Sequence, residues 1–283
     1  MSLPTSSPAL PDPFSNGHGF RASVRGPAQA SPDALWLIFS GDRLLLDGEL
    51  QTPSRQPEGT EGEVYLGDQE GREVWAARLS GPASAPYTLH RLRTLHGQVP
   101  DALWVLGGYA YQIVEWDRTH RYCGFCATPT VADAAERVRR CPNCGLSVYP
   151  RLAPAVMVLL TRRHEGRPQV LLCRSPHFAL GMYSANAGFV EPGETVEHAA
   201  HREMKEETNL EITNLRYFAS QPWPFPHSLM LAFSAEYAGG EIIAQPGEIE
   251  DARWFDYDDL PTLPGRASIA RRLIEAVVGE QPE

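Results

Sequence analysis

The sequence predicts an α/β chain with a small, mostly β N-terminal domain, a short segment tied by four cysteines, and a mixed α and β C-terminal half. Three observations carry that expectation. Short apolar runs broken by turn residues fill the N-terminal third. Two C-x-x-C pairs stand at 123–126 and 141–144. A glutamate-rich stretch with helical spacing then follows two strand-like runs and a glycine-bearing loop.

Residues 1–30 are rich in Pro, Ser and Gly and lack the basic start and apolar stretch of a signal peptide, so they read as a flexible leader. Trp36 to Phe39, Leu44 to Leu46, Val64 to Leu66 and Val74 to Ala77 are strand-sized, with Gly41, Asp42, Gly48 and Gly67 as punctuation. Pro100-Asp101 starts a helix, and Ala102, Leu103, Leu106, Ala110, Ile113 and Val114 recur at helical spacing. The N-terminal α+β domain therefore spans 31–118, the cysteine segment 119–150 and the C-terminal domain 151–283. In the last, Ala155 to Leu160 and Val170 to Cys173 read as buried strands and Thr195 to Thr208 as a helix. Leu229, Leu231, Phe233, Ala235 and Tyr237 alternate as a half-buried strand does, Asp251 to Phe255 is a short strand, and Ile269 to Val278 is a closing helix. No internal repeat is present.

Composition narrows the function. The 283 residues are 42% hydrophobic and 21% charged, ordinary for a globular protein, and no apolar run reaches the length of a membrane span. A formal net charge of -10 argues against a general electrostatic grip on nucleic acid. It leaves room for a local basic pocket, or for phosphates held through divalent cations. Five cysteines, four of them in C-x-x-C pairs, point to metal binding in a reducing compartment, hence the cytoplasm, rather than to disulfides.

Each cysteine pair fits a tight turn, and Gly145 supports the second. Thiolates of Cys123, Cys126, Cys141 and Cys144 at tetrahedral corners suit Zn²⁺, and such a closed site is structural. Two separate redox pairs, or buried free thiols, are the alternative; the spacing of fourteen residues between the pairs favours zinc. A zinc ribbon can also bind nucleic acid, but Arg137, Arg139 and Arg140 lack interleaved aromatics and read as a solvated basic turn. Cys173 lies in an apolar run and reads as a small core residue.

The most informative stretch is GFVEPGETVEHAAHREMKEETNL, residues 188–210. Thr195 is the N-cap candidate. At about 100° per residue, Glu203, Glu206 and Glu207 share one side with Val196, Ala199, Ala200 and Leu210. Glu197, His198, His201, Lys205 and Thr208 take the opposite, solvent side. A solvated acidic face is the ordinary reading of such a run, but the solvent face here already has its polar residues. Inward carboxylates repel one another unless cations neutralise them, so the stripe reads as a site for two or three Mg²⁺ or Mn²⁺ ions. Such ions polarise a pyrophosphate and lower the pKa of an attacking water. Glu194 and Arg202 are expected to pair and brace the loop.

This stretch resembles the signature of the Nudix hydrolases, G-x5-E-x7-R-E-U-x-E-E-x-G-U, with U a bulky apolar residue. Gly188, Glu194, Arg202, Glu203, Met204, Glu206, Glu207 and Leu210 match in register. Asn209 stands where the family usually has Gly. The position calls for a left-handed conformation, which Asn tolerates best after Gly, so the expected cost is to stability and not to chemistry.

A second run, SQPWPFPHS at 220–228, taken alone is a proline-stiffened surface loop over two aromatics. It is similar to the run found in the NADH pyrophosphatase branch of the Nudix hydrolases, which also carries a four-cysteine zinc ribbon before its catalytic domain. The resemblance covers roughly residues 115–280. It implies a Nudix α/β/α sandwich with a mixed sheet behind the ribbon, a homodimer, and hydrolysis of NAD(H) to AMP and NMN(H), with NAD-capped RNA as a further substrate. It implies metal ligation by Glu203, Glu206, Glu207, the Ala187 carbonyl and Glu248, with Glu207 and Glu206 catalytic. Gln221, Pro222, Trp223, Pro224, Phe225, Pro226, His227 and Ser228 would line the dinucleotide site, with Glu136, Tyr149, Ala270 and an arginine, Arg93 ahead of Arg91, as further contacts. Trp223, Phe225 and Phe189 are the rings for stacking on a base. A Nudix hydrolase of ADP-ribose or a dinucleoside polyphosphate, and a noncatalytic dinucleotide sensor or ribbon-type binding module, are the alternatives. The complete glutamate set argues against the sensor.

Overall fold

A computed structural model describes residues 19–279; most of the expected leader lies outside them. The described part of that leader is not wholly irregular, since β1 (Phe20–Ala22) pairs with β4 (Thr60–Gln69). Two compact units divide the described chain, one holding residues 152–223 and 228–279, the other 19–151 with the turn 224–227. No helix among the described residues is long and apolar enough to cross a membrane.

The N-terminal unit is built on a six-stranded sheet in the order β1-β4-β5-β2-β3-β6, where β2 is Leu35–Ser40, β3 Arg43–Leu46, β5 Arg72–Leu79 and β6 Thr88–Arg91. Strands β2 and β5 run parallel and the other pairs antiparallel. Alternation along β2 sends Trp36 and Ile38 into one cluster with Leu45, Trp75 and Ala77, and the Trp36 and Trp75 rings stack at 5.9 Å. Helix α1 (Asp101–Thr119) follows, as the apolar spacing predicts.

The cysteine segment carries three two-residue strands, β7 (Val131–Ala132), β8 (Arg139–Arg140) and β9 (Ser147–Val148). Its arginines are not a solvated turn. Arg137 donates to the Ser23 and Tyr65 carbonyls (2.8 and 3.2 Å), Arg139 pairs with Asp117 on α1, and Arg140 holds Asp133 and Glu136. A segment this small has little apolar core of its own; the Arg137 and Arg139 bonds fasten it to the rest of its unit, and the Arg140 pairs brace it internally.

In the C-terminal unit, β10 (Ala153–His164) is central. It pairs with β11 (Arg167–Arg174) and β12 (Asn186–Phe189) antiparallel and with β14 (Ser228–Gly239) parallel. Strands β13 (Glu211–Trp223) and β15 (Asp251–Asp256) complete the order β13-β14-β10-β11-β15. The period of two along β10 builds both layers. Val156, Val158 and Leu160 meet Ala199, Ala200 and Met204 of α2 (Val196–Thr208), while Met157 and Leu159 meet Ile269, Leu273 and Ile274 of α3 (Ile269–Gly279). This is the expected α/β/α sandwich around a mixed sheet.

The run at 220–228 departs from a simple loop. Its first part is the end of β13 and its last residue opens β14, with Trp223 opposite Ser228 across the hairpin. Gln221 is fully buried: its amide nitrogen donates to the Ala267 carbonyl (2.8 Å) and its oxygen accepts from the Ile269 N–H (2.8 Å), which fastens the start of α3. Ala270 is likewise core, 1% exposed. Both residues are among those that the resemblance assigns to the dinucleotide site, and in the structure the Gln221 amide is engaged by backbone at both ends. Gln221→Leu should therefore orphan two buried backbone groups and lower unfolding stability by about 2 kcal/mol or more, read from the urea midpoint. An unchanged midpoint would refute this role.

Candidate active site

The four glutamates expected to hold metal are brought to one pocket of about 440 Å³. Glu203, Glu206 and Glu207 of α2 line it with Glu248, and Ala187, Gly188 and Phe189 of β12 form its wall. Thr195 caps α2 by accepting from the His198 N–H (3.2 Å), and Asn209 ends it in the left-handed conformation (φ 61°). Gly188 has a steric reason. A Cβ there would lie 1.9 Å from the Glu203 carboxyl carbon, so only glycine lets that side chain lie against β12.

Glu248 reaches the pocket through the loop after β14, whose residues Ile243 and Gln245 donate backbone N–H groups to the Thr208 and Glu207 carbonyls (both 3.0 Å). Those carbonyls at a helix end have no partner within the helix. Satisfying them hangs the loop from α2, and Gln245 joins the pocket lining. No local sequence signal marked Gln245.

Arg202 is the electrostatic centre. Its guanidinium donates to Glu194 twice (2.6 and 2.8 Å), to Glu203 (2.8 Å), to Glu206 (2.9 Å) and to the Phe189 carbonyl (2.9 Å). This pairing holds the Glu194 carboxyl down at about 2. Burial pushes Glu203 up, against the pull of Arg202. Burial, with Glu203, Glu248 and Glu206 nearby, pushes Glu207 up to about 7.

The helix faces differ from expectation at two positions. Thr208 is fully buried, its hydroxyl donating to the Met204 carbonyl (2.6 Å), and so does not face solvent. Glu206 lines the pocket at a more open position, its side chain 53% exposed, where Arg202 reaches it. The carboxylates share a pocket but do not converge tightly. Among the described residues, only the four cysteines bring three or more ligand atoms within 4.8 Å of one another. Five glutamates, Glu191 among them, against one arginine still form an oxygen-rich, negative cavity, which suits hard divalent cations.

In the ribbon, the Cys123 and Cys144 sulfurs lie 3.6 Å apart and those of Cys126 and Cys141 3.5 Å. A tetrahedron with Zn–S bonds of about 2.3 Å has edges near that length, so the set fits one zinc ion. Ala127 (φ 58°) and Gly145 (φ 78°) close the two turns, each N–H bonded to the carbonyl of its pair's first cysteine.

The other expected dinucleotide contacts are divided between the two units. In the C-terminal unit, Ser228 lines the carboxylate pocket with the half-exposed Phe189 ring (57%) from β12. Pro222 is exposed and Trp223 half-buried at the end of β13. Within the N-terminal unit, Pro224 packs on Gly108, Phe225 lies 6.4 Å from the Trp104 ring, and Pro226 and His227 line a separate cavity. Glu136 holds Arg140 and accepts from the Tyr149 hydroxyl (3.4 Å). Arg93 lies on the short 3-10 turn Leu92–Leu95 and Arg91 ends β6.

Comparison with known proteins places this geometry. Residues 151–277 match the NUDIX domain, 118–149 the NADH pyrophosphatase zinc ribbon domain and 33–116 the NADH pyrophosphatase-like rudimentary NUDIX domain. The chain is 47% identical over 246 residues to the NAD-capped RNA hydrolase NudC of Deinococcus radiodurans, covering 87% of this chain and 88% of that protein. It is 50% identical over 254 residues to the protein of the same name from Chromobacterium violaceum, covering 88% and 94%.

Two outcomes follow from the metal sites. Cys141→Ser should lose the zinc, about one ion per chain in the parent protein, and lower the thermal midpoint; elemental analysis finding no zinc in the parent would refute the ribbon site. The second concerns the glutamates without their cations. A carboxyl raised from 4.5 to about 7 contributes stability that is complete below its ordinary value and is lost as pH rises through the raised one. Protein free of divalent cations should therefore lose stability between pH 4.5 and 7, and Glu207→Gln should flatten that slope. Parallel pH profiles for the two proteins would exclude Glu207 as its source.

Proposed function

Because the chain belongs to the zinc-ribbon NADH pyrophosphatase branch of the Nudix hydrolases, we propose that it hydrolyses the pyrophosphate bond of NAD(H) to AMP and NMN(H), and that NAD-capped RNA is a further substrate. The observation that carries this reading is the Arg202-braced carboxylate pocket. Its volume of about 440 Å³ is within the range of about 300–1,000 Å³ for small-molecule sites.

Divalent cations, Mg²⁺ or Mn²⁺ in two or three positions, would supply charge neutralisation at the pyrophosphate oxygens and acidify water. Glu203, Glu206, Glu207, Glu248 and the Ala187 carbonyl would hold them. Arg202 keeps Glu203 and Glu206 in place and ties the β12 backbone at Phe189 to the same helix. Glu207, half-buried among the other carboxylates of the pocket, would hold a cation beside the attacking water. Water adds to one phosphorus as the bridging P–O bond breaks, and the two nucleoside monophosphates leave. The Phe189 ring offers a stacking surface for a base at the rim.

The family resemblance implies a homodimer, and the ribbon supports it. Tyr122, Phe125 and Tyr149 are 69%, 81% and 56% exposed, apolar rings of the kind that a second copy of the chain would cover. The thiolates of the ribbon suit a reducing compartment, in keeping with a cytoplasmic enzyme.

Purified protein with Mg²⁺ or Mn²⁺ should convert NADH to AMP and NMNH, resolved by chromatography. Glu207→Gln should reduce turnover by at least about tenfold, a barrier increase of about 1.4 kcal/mol, with zinc content unchanged. Intact NADH after prolonged incubation would sink the proposal.

A further inference from the structure

Glu248 differs from the other carboxylates of the pocket in how it is held. Arg202 bonds Glu203 and Glu206 (2.8 and 2.9 Å), and Glu207 shares their helix. Glu248 lies in the loop between β14 and β15, and its carboxylate has no hydrogen bond or ion pair among the described residues. Its position therefore depends on the backbone of that loop. The first end hangs from the last carbonyls of α2, through Ile243 and Gln245. A turn closes next, the Glu248 and Ile249 N–H groups donating to the Gln245 carbonyl (3.3 and 3.0 Å). Held at that end alone, the loop would leave Glu248 without a fixed place.

The other end is held by Arg174, the last residue of β11. Its carbonyl accepts from the Glu250 N–H (2.8 Å), which extends the β11–β15 ladder by one bond. Its guanidinium makes two contacts that a ladder does not require. Nε donates to the Glu250 carboxylate (2.9 Å), and Nη1 donates to the Ala179 carbonyl (2.6 Å). Ala179 belongs to the connection that leads into β12, whose Ala187 is part of the pocket wall. The same Ala179 carbonyl accepts from the Met182 N–H (3.0 Å), closing a turn in which Gly181 has φ 76°. One planar fork thus joins the two segments outside α2 that bring ligands to the pocket.

This pair contributes more to position than to folding. The Glu250 side chain is 52% exposed, and an ion pair with one partner in solvent adds little stability. Asp251, opposite Arg174 in the ladder, is already bonded by Tyr183 and Arg253, which leaves Glu250 as the carboxylate for Arg174. We infer that Arg174 is a positioning residue of the carboxylate pocket: through Glu250 it sets where Glu248 stands, and so how tightly the pocket takes a divalent cation. This role rests on the proposed reading of Glu248 as a ligand for the cation of pyrophosphate hydrolysis.

Mn²⁺ binding to the zinc-loaded full chain, without nucleotide, is read from the EPR signal of the free ion. Arg174→Gln and Glu250→Ala should each raise the Mn²⁺ Kd by about tenfold or more, the usual effect of removing a partner that orients a metal ligand. Glu250→Ala should leave the thermal midpoint near that of the parent. Added to Glu248→Gln, Arg174→Gln should change the Kd by less than about twofold, because its effect passes through Glu248. Parent-like affinity in both single variants overturns the role. So does a further loss of about tenfold on the Glu248→Gln background, which marks a general loosening of the pocket. If Arg174→Gln does not fold, Glu250→Ala, alone and combined with Glu248→Gln, carries the same two tests. A parent chain that binds Mn²⁺ but leaves NADH intact refutes the hydrolase reading alone, and the affinities still decide the role of Arg174. Absence of Mn²⁺ binding by the parent would overturn both.

Discussion

Five hydrogen bonds from one guanidinium organise the catalytic half of this protein. Arg202 has five N–H donors and uses each, on Glu194 twice, Glu203, Glu206 and the Phe189 carbonyl. The problem it solves is set by the chemistry. A site for divalent cations needs several carboxylates on one helix face, and those carboxylates repel one another before any cation arrives. A lysine has three rotating donors and no planar fork, so it cannot hold three carboxylates and a backbone carbonyl in one geometry. Arg202 neutralises part of the charge, and the loop, strand and helix that carry the ligands become one braced element.

Some of the site was legible in the sequence because its causes are local. Thr195 as N-cap, Asn209 in the left-handed region and the Glu194–Arg202 pair depend on residues within one loop and one helix. The cysteine set is equally local, two turns of four residues each. What stayed hidden depends on distant partners. Thr208 looked polar and therefore exposed, but it bonds its own helix carbonyl and is buried. Gln221 looked like a substrate contact because it stands in a distinctive run, yet its partners are the backbone at Ala267 and Ile269, nearly fifty residues on. The three ribbon arginines read as solvated, yet Arg137 and Arg139 find acceptors in other segments of the unit and Arg140 is paired within the ribbon. A pattern in sequence announces which residue types are needed; tertiary partners decide which of them are free to meet a ligand.

The two larger sheets make the same point at the level of architecture. In each, a parallel pair is flanked by antiparallel neighbours: β4-β5-β2-β3 in the N-terminal unit and β13-β14-β10-β11 in the C-terminal one. This arrangement agrees with the match of residues 33–116 to a rudimentary version of the domain that 151–277 matches in full. The difference lies between the strands. After β11 and β12 the C-terminal unit inserts α2 with its glutamates, whereas β3 and β4 are joined by turns alone. The sheet supplies a frame, and without the carboxylate helix that frame has no metal chemistry.

The loop carrying Glu248 shows how the helix also recruits what the sheet does not provide. An α-helix leaves its last carbonyls without internal partners, and α2 ends inside a folded domain where such groups need them. Asn209 turns the chain by adopting φ 61°, its side-chain amide donates to the Glu241 carbonyl (3.1 Å), and the Thr208 and Glu207 carbonyls accept from Ile243 and Gln245. The capping of one helix thereby fixes a distant segment, and Glu248 comes with it to the carboxylate pocket. Glycine at 209 would permit the turn but lack that amide. The departure from the family signature at this position thus adds a tie to the very loop that brings the fourth glutamate, which is a physical reason for asparagine to serve here without loss of chemistry.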